Sequence, residues 1–298
     1  MIEQQKYSIM AKIISDTDLV SHISFLACPD VEEICRPLFI YTPVKVFEYS
    51  RVYSDGSRAE LSNHAEHMRN AFITRAKMSR VYTPSLIKTD QSYLFVPSWI
   101  ENMRHPAQKT LRSQLYSQHE LFKIGNELSI IKRHADYVEY FHFFAESDSP
   151  GIENFYLNNM ELLEQFVFYF TNTARHLISK ADADRLLKPW RDKESEVTSI
   201  KDSQDSMFIF DKKAFSKSIN PKRFFLRVNE REVYLTRREM DCASLLVQGK
   251  MNRAISKELF ISHRTVETHI ESLKTKTNCR DRDELIKFLL ASGFHQYI

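Results

Sequence analysis

Between Leu235 and Leu285 the apolar positions fall into three helical rhythms, each framed by its own start or stop signal. Ala243, Leu246 and Val247 recur at three- and four-residue spacing and predict an amphipathic helix, with Gly249 as its stop. At its head Thr236 stands three residues before Glu239, the spacing of a capping box in which each side chain satisfies an orphan backbone N–H. Ile255 and Leu259 predict a shorter second helix beginning near Asn252. Ser262 sits where an N-cap is wanted, and Val266, Ile270, Leu273 and Thr277 trace the inner face of a third helix. Helical geometry then turns Arg264, Glu267, Thr268, Glu271, Lys274 and Thr275 outward. A short helix, a tight turn and a longer helix with a polar outer face is how a recognition helix is carried into the DNA major groove.

Ahead of this segment the pattern is mixed. VKVFEYSRVY (Val44–Tyr53) is rich in β-branched and aromatic residues, and Asp55-Gly56 after it predicts a hairpin. Ala65–Ala76 reads as a helix, Tyr93–Pro97 as a short strand, and Pro106–Tyr116 as a helix with proline at its start. Leu121–Arg133 and Tyr137–Glu146 read as paired strands about a His134-Ala135-Asp136 turn. Asn154–Lys180 reads as one long helix, with Leu163, Phe166, Val167, Phe170, Ala174 and Leu177 on its buried side. Its apolar positions cover more than one narrow stripe, which leaves room for a second copy to pack there. Trp190 to about Lys222 is polar, without apolar periodicity, and reads as a tether. KRFFLRVNEREVYL after it predicts a small hairpin around Asn229-Glu230. The expected organisation is a domain at 1–189, a linker at 190–222 and a second domain at 223–298. The fold class is α+β: an N-terminal α/β domain with an antiparallel sheet, then an all-α four-helix domain.

The C-terminal segment closely resembles the helix-turn-helix of the LuxR/NarL/FixJ family of bacterial transcription regulators. Leu235, Thr236, Arg238 and Glu239 match its opening, and Gly249, Ile255 and Leu259 its turn and second helix. Ser262, Thr265, Val266, His269, Lys276, Arg282 and Leu285 match the remainder. Ser256, Ala243 and Thr277 depart from it, standing where the family usually has Ala, Leu and Leu. The resemblance implies a DNA-binding set of Ser262, Arg264, Thr265, Glu267, Thr268, His269, Glu271, Lys274, Lys276, Arg280 and Arg282. It further implies double-stranded DNA as partner, a homodimer formed by the last helix, Arg282–Ala291 with Gly293 as its stop, and RNA polymerase as a possible partner. In architecture only, the N-terminal region is similar to PAS, GAF and autoinducer-binding sensors. The motif of an acyl-homoserine-lactone pocket is not evident, nor is the phosphoacceptor pattern of a receiver domain. A small-molecule signal at this sensor is therefore expected; the alternative is a protein-interaction module.

Charge adds little, since the net value is +3 and the segment from Leu235 onward carries eleven Lys/Arg against eight Asp/Glu. That fits a dimer with few phosphate contacts per subunit. With 5 glycines in 298 residues, and no nucleophile elbow or paired catalytic carboxylates, no enzymatic role is expected. No cofactor and no metal is expected either. His64 and His67 share a helix face at i, i+3; a metal site there would need further ligands, His105 or His134, and a solvated polar face is the simpler reading. The chain lacks an apolar run long enough to span a membrane and a signal-peptide pattern at MIEQQKYSIM, so a cytoplasmic location is expected. The four cysteines fit that compartment as free thiols; Cys28 and Cys35 are the pair to weigh as a redox switch. Aromatic residues concentrate between Tyr137 and Phe170, where they either line a cavity or fill a core; Tyr140, His142 and Phe144 are the candidate ligand contacts, with a satisfied, half-buried sheet histidine the simpler reading of His142.

Overall fold

A computed structural model describes residues 12–13, 20–73, 92–102, 108–187, 211–219, 221, 223–229, 231–292 and 294. The chain divides into two compact units: Met1–Leu163 with Ala174–Phe215, and Glu164–Thr173 with Ser216–Ile298.

The first unit is built on a seven-stranded sheet. Its strands are β1 (Lys12–Ile13), β2 (Val44–Tyr53), β3 (Arg58–Ser62), β4 (Tyr93–Phe95), β5 (Ile124–Arg133), β6 (Tyr137–Glu146) and β7 (Leu186–Leu187), in the order β1-β7-β3-β2-β6-β5-β4. All described pairings are antiparallel except β1 with β7. The hairpin at Asp55-Gly56 forms as expected: Gly56 takes φ +82°, and Asp55 Oδ1 accepts from the Ser57 N–H at 2.8 Å. Packed on the sheet are α1 (Ile23–Leu26), α2 (Cys28–Tyr41), α3 (Ala65–Ile73), α4 (Val96–Asn102), α5 (Gln108–Phe122), α6 (Ile152–Asn158) and α8 (Arg175–Ala183); in sequence α7 (Met160–Thr173) follows α6, and its residues from Glu164 belong to the second unit.

Three expected elements need correction. Asn154–Lys180 is not one helix but belongs to α6, α7 and α8, broken at Asn159 (φ −128°, ψ 21°) and Ala174 (φ −85°, ψ 6°). Asn158 and Asn159 cause the first break, since their amides donate to the carbonyls of Asn154 and Phe155 at 2.7 and 2.8 Å and compete with the helix. Leu163, Phe166, Val167, Phe170 and Ala174 are buried as expected, but past the second break Ile178 is buried and Leu177 only half-buried. Tyr93–Pro97 is a strand only to Phe95; Pro97 lies in the first turn of α4, where its missing N–H costs nothing. Leu121 and Phe122 finish α5, and Lys123 at φ +56° turns the chain into β5. Cys28 and Cys35 sit seven residues apart on α2, about 10 Å along its axis at 1.5 Å per residue, beyond disulfide reach. Burial pushes the Cys28 thiol up to about 11 and Cys35 well above its ordinary value, so neither forms a ready thiolate. The end of the expected Ala65–Ala76 helix, residues 74–76, with His105, Pro106, Trp190, Glu230 and Gly293, lies outside the described residues. So does most of the expected linker, of which α9 (Lys212–Ser218) is described.

The second unit begins its sheet with the expected hairpin. β8 (Arg223–Val228) pairs with β9 (Arg231–Thr236), and Asn229 takes φ +46° in the turn. Four helices follow: α10 (Arg237–Val247), α11 (Asn252–Glu258), α12 (His263–Thr277) and α13 (Arg282–Ala291). Their inner faces close into one core through Leu235, Met240, Leu246, Ile255, Val266 and Leu273, all fully buried. Cys242 is buried in that core and Cys279 packs against it, as their small size predicts.

Candidate nucleic-acid interface

α12 is the element on which the site stands, and its start and stop are chemically explicit. Ser262 Oγ accepts from the Thr265 N–H at 3.0 Å, so the N-cap is satisfied. At the other end Asn278 takes φ +57°, and the Cys279 N–H donates to the Lys274 carbonyl at 2.9 Å. Val266, Ile270, Leu273 and Thr277 are all buried, the inner face that the spacing predicts.

The helix is held in orientation by a buried carboxylate. Glu239, only 4% exposed, keeps the capping box with Thr236: the Thr236 N–H and Oγ1 donate to Oε2 at 2.7 and 2.9 Å. The same carboxylate reaches α12, where Ser272 Oγ donates to Oε1 at 2.6 Å and Lys276 Nζ to Oε2 at 2.7 Å. Burial pushes the Glu239 pKa up, but the hydrogen bonds from Lys276, Ser272 and Thr236 outweigh it and hold the group at about 2. The residue that caps α10 thus also fixes α12. Sequence reading found the cap and missed the link, because Ser272 and Lys276 lie 33 and 37 residues further on.

Of the expected DNA-binding set, Ser262, Arg264, Glu267, Thr268, Glu271 and Arg280 are exposed, while Thr265, His269, Lys274, Lys276 and Arg282 are half-buried. Arg264, Glu267, Thr268 and Glu271 share the outward side of α12. Glu271 pairs with Lys274 at 2.6 Å. Glu267 lies 3.4 Å from His263 Nδ1 rather than pairing with Arg264. Thr268 Oγ1 donates to the Arg264 carbonyl at 3.0 Å, which leaves its lone pairs outward. Arg282 is turned to local work: it donates to Asn252 Oδ1 at 2.9 Å and to the Lys250 carbonyl, tying α13 to the loop before α11. Lys276 is likewise shared between Glu239 and the Tyr234 ring, 5.0 Å from its centroid. The geometry is that of a polar, cation-bordered helix standing clear of a three-helix support.

The first unit presents a different candidate. Tyr140, His142 and Phe144 alternate along β6 and lie on one buried face of the sheet. Register places Glu48 opposite Ser62 and His142, and His142 opposite Ser129, so a polar row crosses four strands. His142 Nδ1 lies 2.8 Å from both Glu127 Oε1 and Ser129 Oγ. From α3, His67 Nδ1 contacts Glu48 Oε1 at 2.7 Å, and its Nε2 faces the Gln118 amide of α5 at 3.0 Å. His67 is therefore a buried hydrogen-bonding residue, not part of a solvated face. Among the described residues no group of three or more His, Cys, Asp or Glu is placed to hold a metal ion. Nor is any described helix long and apolar enough to cross a membrane.

The sequence profile of bacterial regulatory proteins of the luxR family matches residues 233–289. The uncharacterized transcriptional regulatory protein YhcZ of Bacillus subtilis (strain 168) is 43% identical over 61 residues, which cover 20% of this chain and 28% of YhcZ. The spore germination protein GerE of the same organism is 41% identical over 59 residues, covering 20% of this chain and 80% of GerE. The matched segment thus spans well under a third of YhcZ and most of GerE. Among solved structures, Escherichia coli SdiA in the space group P6522 aligns over 95% of this chain and 93% of its own, at 11% identity and a TM-score of 0.30.

Proposed function

Because this chain belongs to the luxR family of bacterial regulatory proteins, we propose that it is a one-component transcription regulator. Residues 223–298 bind duplex DNA as a homodimer, residues 190–222 tether them, and residues 1–189 receive the signal. The observation that carries the DNA-binding part is the outward row of α12, Arg264, Glu267, Thr268 and Glu271, exposed on a helix whose opposite face is locked into the core. Arg264, Lys274, Lys276, Arg280 and Arg282 supply the phosphate contacts, with Ser262, Thr265 and His269 at the margins of the same face. Half-buried Ile286 and Phe288 and exposed Leu290 on α13 support a dimer through that helix. Enrichment of duplexes from random DNA by the full chain, followed by footprinting, tests this reading. Inverted half-sites about one helical turn apart are expected. A single asymmetric half-site at saturation counts against the dimer, and failure to enrich any motif counts against the regulator.

For the first unit the polar row through Glu48, His142 and Ser129, with Tyr140 and Phe144 on either side of His142 along β6, supports a small-molecule signal over a protein-interaction module. Buried polar side chains converging within an aromatic face are the usual furniture of a ligand site. Replacing such a buried row by apolar groups of similar size is often neutral for stability. Replacing Glu127, Ser129 and His142 together by Met, Ala and Leu is expected to leave the thermal midpoint within a few degrees. A small molecule seen by native mass spectrometry in the parent chain is expected to be absent from this variant. A parent that carries no ligand, and whose target-site occupancy responds only to another protein, returns the reading to an interaction module.

A further inference from the structure

Phe260 carries an aromatic ring that neither the backbone nor the core of its unit favours. α11 ends with the 6→1 bond of a Schellman turn: after the last helical bond, from the Leu259 N–H to the Ile255 carbonyl at 2.9 Å, the Ile261 N–H donates to the Ser256 carbonyl at 3.1 Å. This sets Phe260 at φ +54°. Left-handed backbone suits glycine, and next asparagine, because a larger side chain crowds the neighbouring carbonyl. The other positive-φ positions described in this unit keep to that preference: Asn229 at +46°, Gly249 at +81° and Asn278 at +57°. Phe260 departs from it and gains no burial in exchange, being 93% exposed. Its neighbours Leu259 and Ile261 are the ones packed against the core. Stability alone favours asparagine or glycine here.

The place of the ring in the fold says what it meets. It stands two residues before Ser262, the N-cap of α12, and is continuous with the exposed His263, Arg264 and Glu267. In a helix-turn-helix the first helix crosses the DNA backbone, and the N-terminal part of the second meets base edges. The turn between them therefore rides the wall of the groove. That wall shows deoxyribose rings between phosphates, an apolar surface bordered by negative charge. Lys257 and Arg264, both exposed, flank Phe260 in sequence and complement it.

We propose that Phe260 packs its ring on a deoxyribose at the edge of the groove read by α12. The contact adds affinity without reading sequence, and it displaces no counterion, so it leaves the salt dependence alone. This rests on the DNA-binding reading above. The test is Phe260→Asn in the full chain, assayed on the enriched duplex and on a scrambled duplex of equal length. Expected are a thermal midpoint equal to or above that of the parent and binding about tenfold weaker to both duplexes. The slope of log affinity against log salt stays the same, and Phe260→Tyr restores affinity. Unchanged affinity, a loss confined to the enriched duplex, or a lowered thermal midpoint each overturns the proposal, the last by making the ring a packing residue. If the parent itself binds neither duplex, it is the DNA-binding reading that fails.

Discussion

Glu139 in the first unit and Glu239 in the second are both held at about 2, by donors of quite different origin. In each case burial pushes the carboxyl up and hydrogen bonds outweigh it. For Glu239 two donors are atoms of Thr236, three residues away, and the others are Ser272 and Lys276 of α12. For Glu139 they are His134 across the β5–β6 turn at 2.8 Å, Tyr49 at 2.6 Å and Arg51 at 3.0 Å, both on β2. Arg51 also pairs with Asp182 of α8 at 3.0 Å, and Tyr53 donates to that same Asp182 at 2.7 Å. One carboxylate thus sets the pose of a helix that must meet DNA. The other clips α8 to the sheet of the first unit. Equal acidity conceals a helix cap extended to a later helix in one unit and a clip across neighbouring strands in the other.

The largest effect is expected at Glu239→Gln. The amide cannot serve Lys276, Ser272 and the cap together, so α10 and α12 lose their tie at a cost of about 3 kcal/mol. Hydrogen exchange of α10 amides reports it. The folded pKa lies below the unfolded one, so the ionised group contributes stability above about pH 4.5 and loses it as pH falls toward about 2. The variant is expected to lose this acid-side dependence. Unchanged exchange at neutral pH breaks the comparison at its stronger end.

Glu139→Gln is expected to cost less, about 2 kcal/mol, because Arg51 keeps Asp182 as a partner. The sign is the same: stability from this group is present above about pH 4.5 and declines as pH falls toward about 2. The difference sought is where the loss appears. Faster exchange in α8 with α10 untouched keeps the two devices separate, whereas equal losses in both helices unite them.

The two networks also show why the sequence was readable in one place and opaque in the other. The Thr236–Glu239 cap, Ser262 and Gly249 are signals within three or four residues of what they control, and each ends a helix where expected. Val44–Tyr53 and Tyr137–Glu146 form strands to the residue, because β-branched and aromatic runs bounded by turns have no helical competitor. Opaque were features set by distant partners. Arg51 meets Asp182 across 131 residues and Glu139 across 88, by sheet register alone. α2 went unread because Pro37 lies inside it, although Pro29 in its first turn was a usable signal. The breaks at Asn159 and Ala174 reset the helical phase, which no continuous apolar stripe foretells. In the site, Arg264, Glu267, Thr268 and Glu271 were legible as an outward row, while the structural duties of Lys276 and Arg282 were not.

A smaller effect divides two of the proposed phosphate contacts. Arg264 is exposed, so Arg264→Ala is expected to leave stability within about 0.5 kcal/mol and to lower the salt slope of DNA binding by roughly one unit. Lys276→Ala removes a donor from Glu239 as well, so the same slope change comes with about 1 kcal/mol of lost stability, discounted because Lys276 is partly solvated. Affinity titrations at several salt concentrations, with thermal melts of the same samples, separate the two. A Lys276 variant that loses stability but keeps the parent slope assigns this lysine wholly to the Glu239 tie.

The smallest effect is expected at Glu271, and it concerns preference rather than strength. Glu271 pairs with Lys274 at 2.6 Å on the helix surface, where such a pair is worth only a few tenths of a kcal/mol. Glu267 one turn earlier adds a like charge, and both face a polyanion, so two carboxylates on this row call for a reason. A carboxylate accepts from the N4 amino group of cytosine, which offsets the repulsion at a C·G pair and at no other. The competing role is orientation, with Glu271 holding Lys274 toward phosphate, and the observed ion pair fits that role equally well. Glu271→Gln separates them because glutamine prefers adenine to cytosine while barely altering shape. With base reading, duplexes enriched by the variant lose a cytosine at one position in each half-site and gain adenine there, while overall affinity moves about threefold or less. With orientation alone, the enriched motif is unchanged and affinity shifts equally for every sequence.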